Sequence, residues 1–464
     1  MRIRKLRESE RLISMRSFFS GIVIRINSHL SVDSVVYRVD LNKNKAAMYY
    51  HLVKPCGVSL WGVSPEQRIA KNLEKVGVFQ QIDDLSLLQP NDAILILRLD
   101  YLYDAYLLTK LVAQPNATSS TLLSDSSQST LVAAWTSAEK ASCLLARIEN
   151  EDAPQMVVEE ETDTVSLFSP EALTGGYDPK LRKFNLSHVV RVVAEDKIQI
   201  ENYLYDKSYK GITDFVTKWF WPIPARRVVR SCVENTISPN KVTSIGWLLT
   251  VIAGVLFYQG QFALGLLAAW LMTFLDTVDG KLARVSLQSS KLGHWMDHGL
   301  DIIHPPIWYW CWAQGLALNE LNVFGQIITI DSLLITMLLA YVGGRLFEGL
   351  FQISFDNIEI FCWKPIDSYH RLFTARRNPC MVLLTVAIFF ISPQAGFIWV
   401  VLWSGLSTVL LALRFIQAAV YRLLVGRLRP WIEDIDPEQE NPSQVIQWFT
   451  GQQAIATISS LIKR

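Results

Sequence analysis

Two neighbouring stretches hold residue types that could do chemistry together. They are Asp276-Thr277-Val278-Asp279-Gly280-Lys281-Leu282-Ala283-Arg284 and, eight residues on, Gly293-His294-Trp295-Met296-Asp297-His298-Gly299-Leu300-Asp301. On a helix, Asp276, Asp279, Gly280 and Ala283 fall at i, i+3, i+4 and i+7 and share one face. Asp297 and Asp301 are one turn apart and share a face of the next helix. Two such helices turned toward each other would gather four carboxylates, and like charges so placed ask for a cation. Hard oxygen donors with no cysteine nearby select Mg²⁺, Mn²⁺ or Ca²⁺ over softer metals. A divalent ion held by carboxylates neutralises pyrophosphate oxygens and stabilises charge on a departing phosphate. Gly280 and Ala283 are almost bare, which lets a planar or phosphate group approach the backbone. Arg284 can add a bidentate contact to phosphate.

Two other readings compete. Paired carboxylates on helices are commonly solvated surface charges, but ionisable groups at membrane depth are expensive and call for a use. His294, Asp297, His298 and Asp301 also spell H-x2-D-H-x2-D, which places two imidazoles on one side of a helix as in a zinc hydrolase.

The complete pattern, D-x2-D-G-x2-A-R-x8-G-x3-D-x3-D, resembles the defining motif of the CDP-alcohol phosphatidyltransferases, and all eight fixed positions are filled. Pro239-Asn240-Lys241-Val242-Thr243 is similar to the Pro-Asn-x-x-Thr that opens the first span in that family. The resemblance implies that Asp276, Asp279 and Asp297 hold Mg²⁺ (or Mn²⁺). It implies that Asp301 completes the metal shell and is the catalytic base for the acceptor hydroxyl. Gly280, Ala283, Arg284 and Gly293 would line the CDP site, with Asn240 and Thr243 near it, and His294 and His298 become neighbours rather than ligands. The implied reaction is attack of an acceptor alcohol on the β-phosphorus of a CDP-linked donor, with release of CMP. CDP-diacylglycerol is the leading donor, in phospholipid biosynthesis. A CDP-linked polar alcohol such as CDP-inositol is the second enzymatic reading, and a non-catalytic membrane scaffold is the third. A homodimer is the family expectation.

The elements that must position these residues follow from composition. Half of the 464 residues are hydrophobic and 19% are charged, but the two classes are segregated. Up to about residue 210 the text is that of a soluble domain; from 242 to 424 it is dominated by apolar runs near the ~20 residues a spanning helix needs. Six spans are expected: Val242 to Gln259, Phe262 to Leu275, Trp295 to Leu318, Ile330 to Leu350, Met381 to Ile391, and Phe397 to Leu424. With the N-terminus inside, the inside loops hold Lys281, Arg284, Lys291, Lys364, Arg371, Arg376 and Arg377, and the tail adds Arg422, Arg427 and Arg429. The outside loops hold no Lys or Arg. That asymmetry predicts a multi-pass protein of the inner or plasma membrane with both termini cytoplasmic. Arg345, Arg376 and Arg377 lie at the inside face, where they either grip an anionic acceptor or anchor the inside loops.

The expected fold is therefore multi-domain: an α/β cytosolic domain over 1–205, an interfacial amphipathic helix over 206–240, an all-α six-helix transmembrane domain over 241–424, and a cytosolic tail over 425–464. In the interfacial segment Ile212, Phe215, Val216, Trp219 and Phe220 form an apolar stripe ahead of Arg226, Arg227 and Arg230, which suits the headgroup layer. In the front domain, strand-like runs (Ile22 to Ile26, Ala46 to Val53, Ala93 to Leu99) alternate with a helix from Ser64 to Val76, capped by Ser64 and Gln67. Gln114 to Thr130, rich in Ser and Thr, reads as a loop.

The order of elements from Lys45 to Leu108, with Gly57 to Ser64, resembles nucleotidyltransferase-like domains fused to some members of the same family. No glycine follows Ile22 to Asn27 to let backbone N–H groups cradle phosphates, so an inactive domain is expected. Asp100 is either a surviving metal residue or a turn residue. Met1 to Glu10 shows no apolar signal segment. The six cysteines show no ligand spacing, and a net charge of +1 gives no argument for nucleic acid as a partner.

Overall fold

The computed structural model describes residues 48–77, 79–90, 92–114, 120–152, 165–174, 176–178, 181–185, 187–288, 291–435 and 443–450; for 291–298, 300 and 301 it describes the helical backbone. The expected strand Ile22 to Ile26 and the segment after it lie outside the described residues.

The front domain is built on a six-stranded sheet: β1 (Met48–Val53), β2 (Gln80–Gln81), β3 (Ala93–Arg98), β4 (Ser120–Ser124), β5 (Leu131–Ser137) and β6 (Val165–Phe168), in the order β2-β1-β3-β5-β4-β6. β1 runs parallel to β2 and β3, whereas β5 is antiparallel to both of its neighbours. Central β3 is buried along its whole length, with its alternate residues serving two cores. Leu95 and Leu97 pack toward α1 (Pro65–Val76) and α2 (Ala105–Val112), while Ile94 and Ile96 pack toward α3 (Ala138–Glu149). A strand apolar on both faces must be covered on both, which makes three layers. α1 starts as its sequence predicts: Ser64 accepts from the Gln67 N–H at 3.3 Å and Pro65 opens the helix.

One expectation fails here. Within the supposed loop Gln114 to Thr130, residues 120–124 form β4, between β5 and β6. The Ser and Thr content suggested a loop, but Leu122 and Leu123 fill the opposite cores and the Ser120 and Thr136 hydroxyls satisfy each other at 2.7 Å. Cross-strand pairing overrides local composition.

After α4 (Lys197–Lys207) the interfacial segment is not one continuous helix. Val216–Phe220 form a wide π-type turn and α5 spans Pro222–Glu234. The apolar stripe divides accordingly: Ile212 and Val216 are buried, whereas Trp219, Phe220 and Ile223 are exposed beside the arginines. Pro222 and Pro224 restart the helix and break the expected register.

The remaining helices are α6 (Pro239–Tyr258), α7 (Phe262–Val285), α8 (Lys291–Gly315), α9 (Ile330–Ser354), α10 (Pro365–Phe373), α11 (Arg377–Phe390) and α12 (Pro393–Leu424). By length and composition α6, α7, α9 and α12 can each cross a membrane, and α10 with α11 makes a bent pair, turned by 46°, that can serve as a fifth crossing. The protein is thus multi-pass. Of the six expected spans, the third falls on α8, which carries Asp297, Asp301, His304, Pro305 and Pro306 and is not among the four. The expected fifth, Met381 to Ile391, is α11 preceded by a separate short helix. Phe257, Met272, Trp308, Trp312, Met337 and Val400 close the bundle core. Outward residues such as Leu248, Leu267, Leu339 and Leu406 are apolar too, as befits helices in lipid.

Two of the segments expected inside by their charge meet the chain that precedes the spans. Arg182 pairs with Glu359 at 2.5 Å, and Asn378 Nδ2 donates to Asp214 Oδ1 at 3.0 Å.

Candidate functional site

The motif helix α7 places Asp276, Asp279, Gly280 and Ala283 on one face, as the spacing requires. The two carboxylates are held differently. Asp279 is 7% exposed, and its Oδ2 accepts from the Thr243 hydroxyl on α6 at 2.6 Å. Thr243 lies one turn into α6, whose start Pro239 fixes, so the short Pro-Asn-x-x-Thr text is what brings this hydroxyl to the carboxylate. Asp276 pairs with the Arg377 guanidinium, at the first residue of α11. Asn240 is exposed, and its carbonyl accepts from the Ser244 hydroxyl at 2.9 Å. Arg284 folds back over Gly280: a Cβ there would stand 3.2 Å from Arg284 Nη2. The bare glycine leaves a flat surface beside a guanidinium, on the same face as both aspartates.

Gly293, Asp297 and Asp301 lie on the α8 backbone with Asp297 and Asp301 one turn apart; their side chains, with those of His294 and His298, lie outside the described residues. Among the described residues no three His, Cys, Asp or Glu side chains gather around one point. Whether a divalent cation suits the visible half of the site can be judged from its donors. Asp276 and Asp279 offer hard carboxylate oxygens, and a cation would share Asp276 with the Arg377 guanidinium. The donor set fits Mg²⁺ or Mn²⁺.

Arg345 and Arg376 share one carboxylate. Arg345 Nη1 lies 3.5 Å from Glu348, and Arg376 Nε donates to Glu348 Oε1 at 3.3 Å. They line a recess with Ser404, Ser407 and Thr408, while Arg377 lies apart with Asp276. The three arginines therefore do not form one cluster. Sequence reasoning counted Arg371 only as an inside charge. On α10 it is 6% exposed, its Nε and Nη1 have no hydrogen-bond partner among the described residues, and its guanidinium lies 5.5 Å from the Phe361 ring that Arg376 also approaches. Open donors on a buried guanidinium are available to an anion, and a charge count along the sequence does not mark them.

A strand of the front domain adds a further cation. Lys183, on β8 (Lys183–Asn185), which pairs with β7 (Gly176–Asp178), donates Nζ to the Lys207 carbonyl at 2.5 Å. Burial, then the positive Lys207, pushes its amine down to about 7; Asp178 opposes the shift, and Arg284 and Lys218 add to it.

Residues 236–348 match the family model described as CDP-alcohol phosphatidyltransferase. Archaetidylinositol phosphate synthase of Pyrococcus horikoshii is 38% identical over 79 residues, 17% of this chain and 42% of that protein. Bifunctional IPC transferase and DIPP synthase of Aquifex aeolicus is 29% identical over 108 residues, 23% and 25% of the two chains. Phosphatidylinositol phosphate synthase of Streptomyces avermitilis is 27% identical over 109 residues, 21% and 45%. The chain spans less than half the length of each of these relatives. The matched segment, which contains the whole motif, is the part of the chain that is similar to CDP-alcohol phosphatidyltransferases.

Proposed function

We propose that this chain is a membrane CDP-alcohol phosphatidyltransferase that moves a phosphatidyl, or other phospho-alcohol, group from a CDP-linked donor to an acceptor alcohol and releases CMP. The observation that carries this reading is the α7 face: two carboxylates with separate partners, a bare glycine and a guanidinium, within a segment of the matching family. Asp276, Asp279, Asp297 and Asp301 would hold Mg²⁺ or Mn²⁺, which supplies charge neutralisation at the pyrophosphate. Arg284 binds donor phosphate, with Gly280, Ala283, Gly293, Asn240 and Thr243 around the CDP group. Asp301 accepts the acceptor hydroxyl proton. The acceptor oxygen then bonds to the β-phosphorus as the bond to CMP breaks, and CMP leaves with the electron pair. Arg345 and Arg376 line the recess available to an anionic acceptor, and Arg371 adds positive charge beside Arg376.

CDP-diacylglycerol is the preferred donor, because the motif lies on a helix long and apolar enough to cross a membrane, where a lipid-linked donor would be anchored. In this reading α8 and the bent pair complete a six-span domain, both termini are cytoplasmic and the chain works as a homodimer.

The front domain we take to be nucleotidyltransferase-like and inactive. Asp100 is paired with Arg98 (2.7 Å) and Arg191 (3.2 Å), the arrangement of a structural ion pair. The α1 N-terminus is closed by Ser64 and carries Glu66 in its first turn, which disfavours phosphate there.

Purified protein in lipid nanodiscs should release CMP from CDP-diacylglycerol in the presence of Mg²⁺ and an alcohol panel, and EDTA should abolish release. Activity that resists EDTA and yields to a zinc-selective chelator would move the site to His294 and His298. No CMP from any CDP-linked donor would sink the proposal.

A further inference from the structure

The motif helix has a second face. Val278, Leu282 and Val285 recur at i, i+4 and i+7 on the side of α7 away from Asp276, Asp279, Gly280 and Ala283. They are buried in one cluster with Trp61 of the front domain, which is 2% exposed and reaches them from the loop between β1 and α1. That loop is built to deliver the indole. Leu60 and Val63 exchange backbone hydrogen bonds of 3.0 and 3.1 Å across a tight turn whose two central residues, Trp61 (φ 51°) and Gly62 (φ 70°), are both left-handed. A left-handed tryptophan is sterically costly and persists only where its surroundings over-determine it. Here they do. The Trp61 N–H donates to Glu201 Oε1 at 3.0 Å, its indole N–H donates to the Glu201 carbonyl at 2.8 Å, and Arg230 stands 5.5 Å from its ring. Gly62 is required, since its φ is positive and a Cβ would press on Val233 of α5 at 3.1 Å.

Two more contacts close on the same end of α7. Arg68 of α1, 6% exposed, donates Nη2 to the Leu60 carbonyl at 2.8 Å and to the Val285 carbonyl at 3.1 Å. Val285 is the last residue of α7, where carbonyls lack intrahelical partners and a cation is favoured. Lys281 Nζ donates to the Ser208 carbonyl at 3.1 Å and lies 3.1 Å from the Tyr209 ring centroid.

We infer that Trp61 and Arg68 are positioning residues, by which the front domain clamps the back of the motif helix and sets the angle at which its carboxylate face meets donor and metal. The inference rests on the transferase reading of that face. It gives the front domain a task that needs no nucleotide chemistry, carried by the loop between β1 and α1.

Four variants of the full chain test it in nanodiscs: Trp61→Ala, Trp61→Phe, Arg68→Gln and Arg68→Lys. A loosened helix can still be drawn into place by saturating ligand. Trp61→Ala and Arg68→Gln should therefore raise the KM for CDP-diacylglycerol and the half-saturating Mg²⁺ concentration by about tenfold with kcat lowered less than threefold. Trp61→Phe and Arg68→Lys should restore most of the loss. Unchanged KM with kcat reduced in proportion to folded protein would show a role in stability alone and overturn the clamp.

Hydrogen exchange provides a readout independent of turnover. Amides of residues 278–288 should exchange faster in Arg68→Gln, which removes one contact and leaves the core filled, while the rest of the bundle is unaltered. Exchange equal to wild type, or faster everywhere, refutes the clamp. Wild-type protein that releases no CMP refutes the transferase reading instead, and the exchange result still judges the clamp.

Discussion

At the scale of residues, the two visible carboxylates of the motif are not equivalent. Asp279 is buried against a hydroxyl, while Asp276 is matched by a guanidinium that a cation or a substrate would have to displace or share. Their partners bear on the division of labour we propose among the four aspartates. Asp→Asn at Asp276, Asp279 or Asp297 should weaken Mg²⁺ and donor binding along with turnover. Asp301→Asn should lower kcat by about 10²–10⁴, the usual worth of a general base, while donor affinity measured by calorimetry with Mg²⁺ changes far less. Normal turnover in Asp301→Asn, with Asp297→Asn inactive but still binding donor, would invert the assignment. The aspartates were legible in the sequence because their spacing is a property of one helix. The Arg377 partner was not, since it comes from another helix 101 residues away and no local period encodes that meeting. Arg371 shows the same limit: a charge count treats a buried arginine and a solvated one alike.

At the scale of elements, the apolar runs gave the positions of α6, α7, α9 and α12, because length and composition are all a spanning helix needs. They did not reveal the bend between α10 and α11, nor how closely helices approach. That approach depends on glycines whose role shows only in three dimensions. Gly315 ends α8, where a Cβ would stand 1.8 Å from the Phe257 carbonyl oxygen of α6, a backbone atom that no rotamer change can move. Gly315→Ala should therefore force α8 away from α6. The expected loss is about 3 kcal/mol or more, at the upper end for overpacked cores. Gly405→Ala on α12, where nothing lies within 4 Å of the added carbon, is the matched control. It should be neutral or stabilising by up to about 1 kcal/mol through helix propensity. Thermal unfolding of both variants in the same detergent checks the contrast, and equal midpoints would mean that the α6–α8 contact is looser than this geometry.

At the scale of the whole molecule, the boundary expected near residue 205 is not where packing stops. Phe184 of β8 shares a core with Phe351 of α9, Leu411 and Ala418 of α12, and Phe449 near the C-terminus. Lys183, the preceding residue, is 4% exposed at this junction. Its titration reports whether the junction is closed. An unfolded lysine keeps its proton up to about pH 10.4, whereas the folded amine gives it up near 7, because burial and then Lys207 disfavour the charge. Below pH 7 both states are protonated and folding carries the full cost of the buried charge. From about 7 to 10.4 the unfolded chain binds more protons, so this residue makes stability rise with pH. Lys183→Met removes that dependence. The wild-type chain should then gain on the variant as pH rises from 7 to 9, by at most about 1.4 kcal/mol per unit, and the variant should be the more stable of the two near pH 6. Denaturation of both proteins at matched pH values measures the difference and cancels the titrating groups that Lys183 does not influence. Parallel curves would mean that the Lys183 amine reaches solvent, and that β8 is not seated against the membrane helices as Phe184 requires.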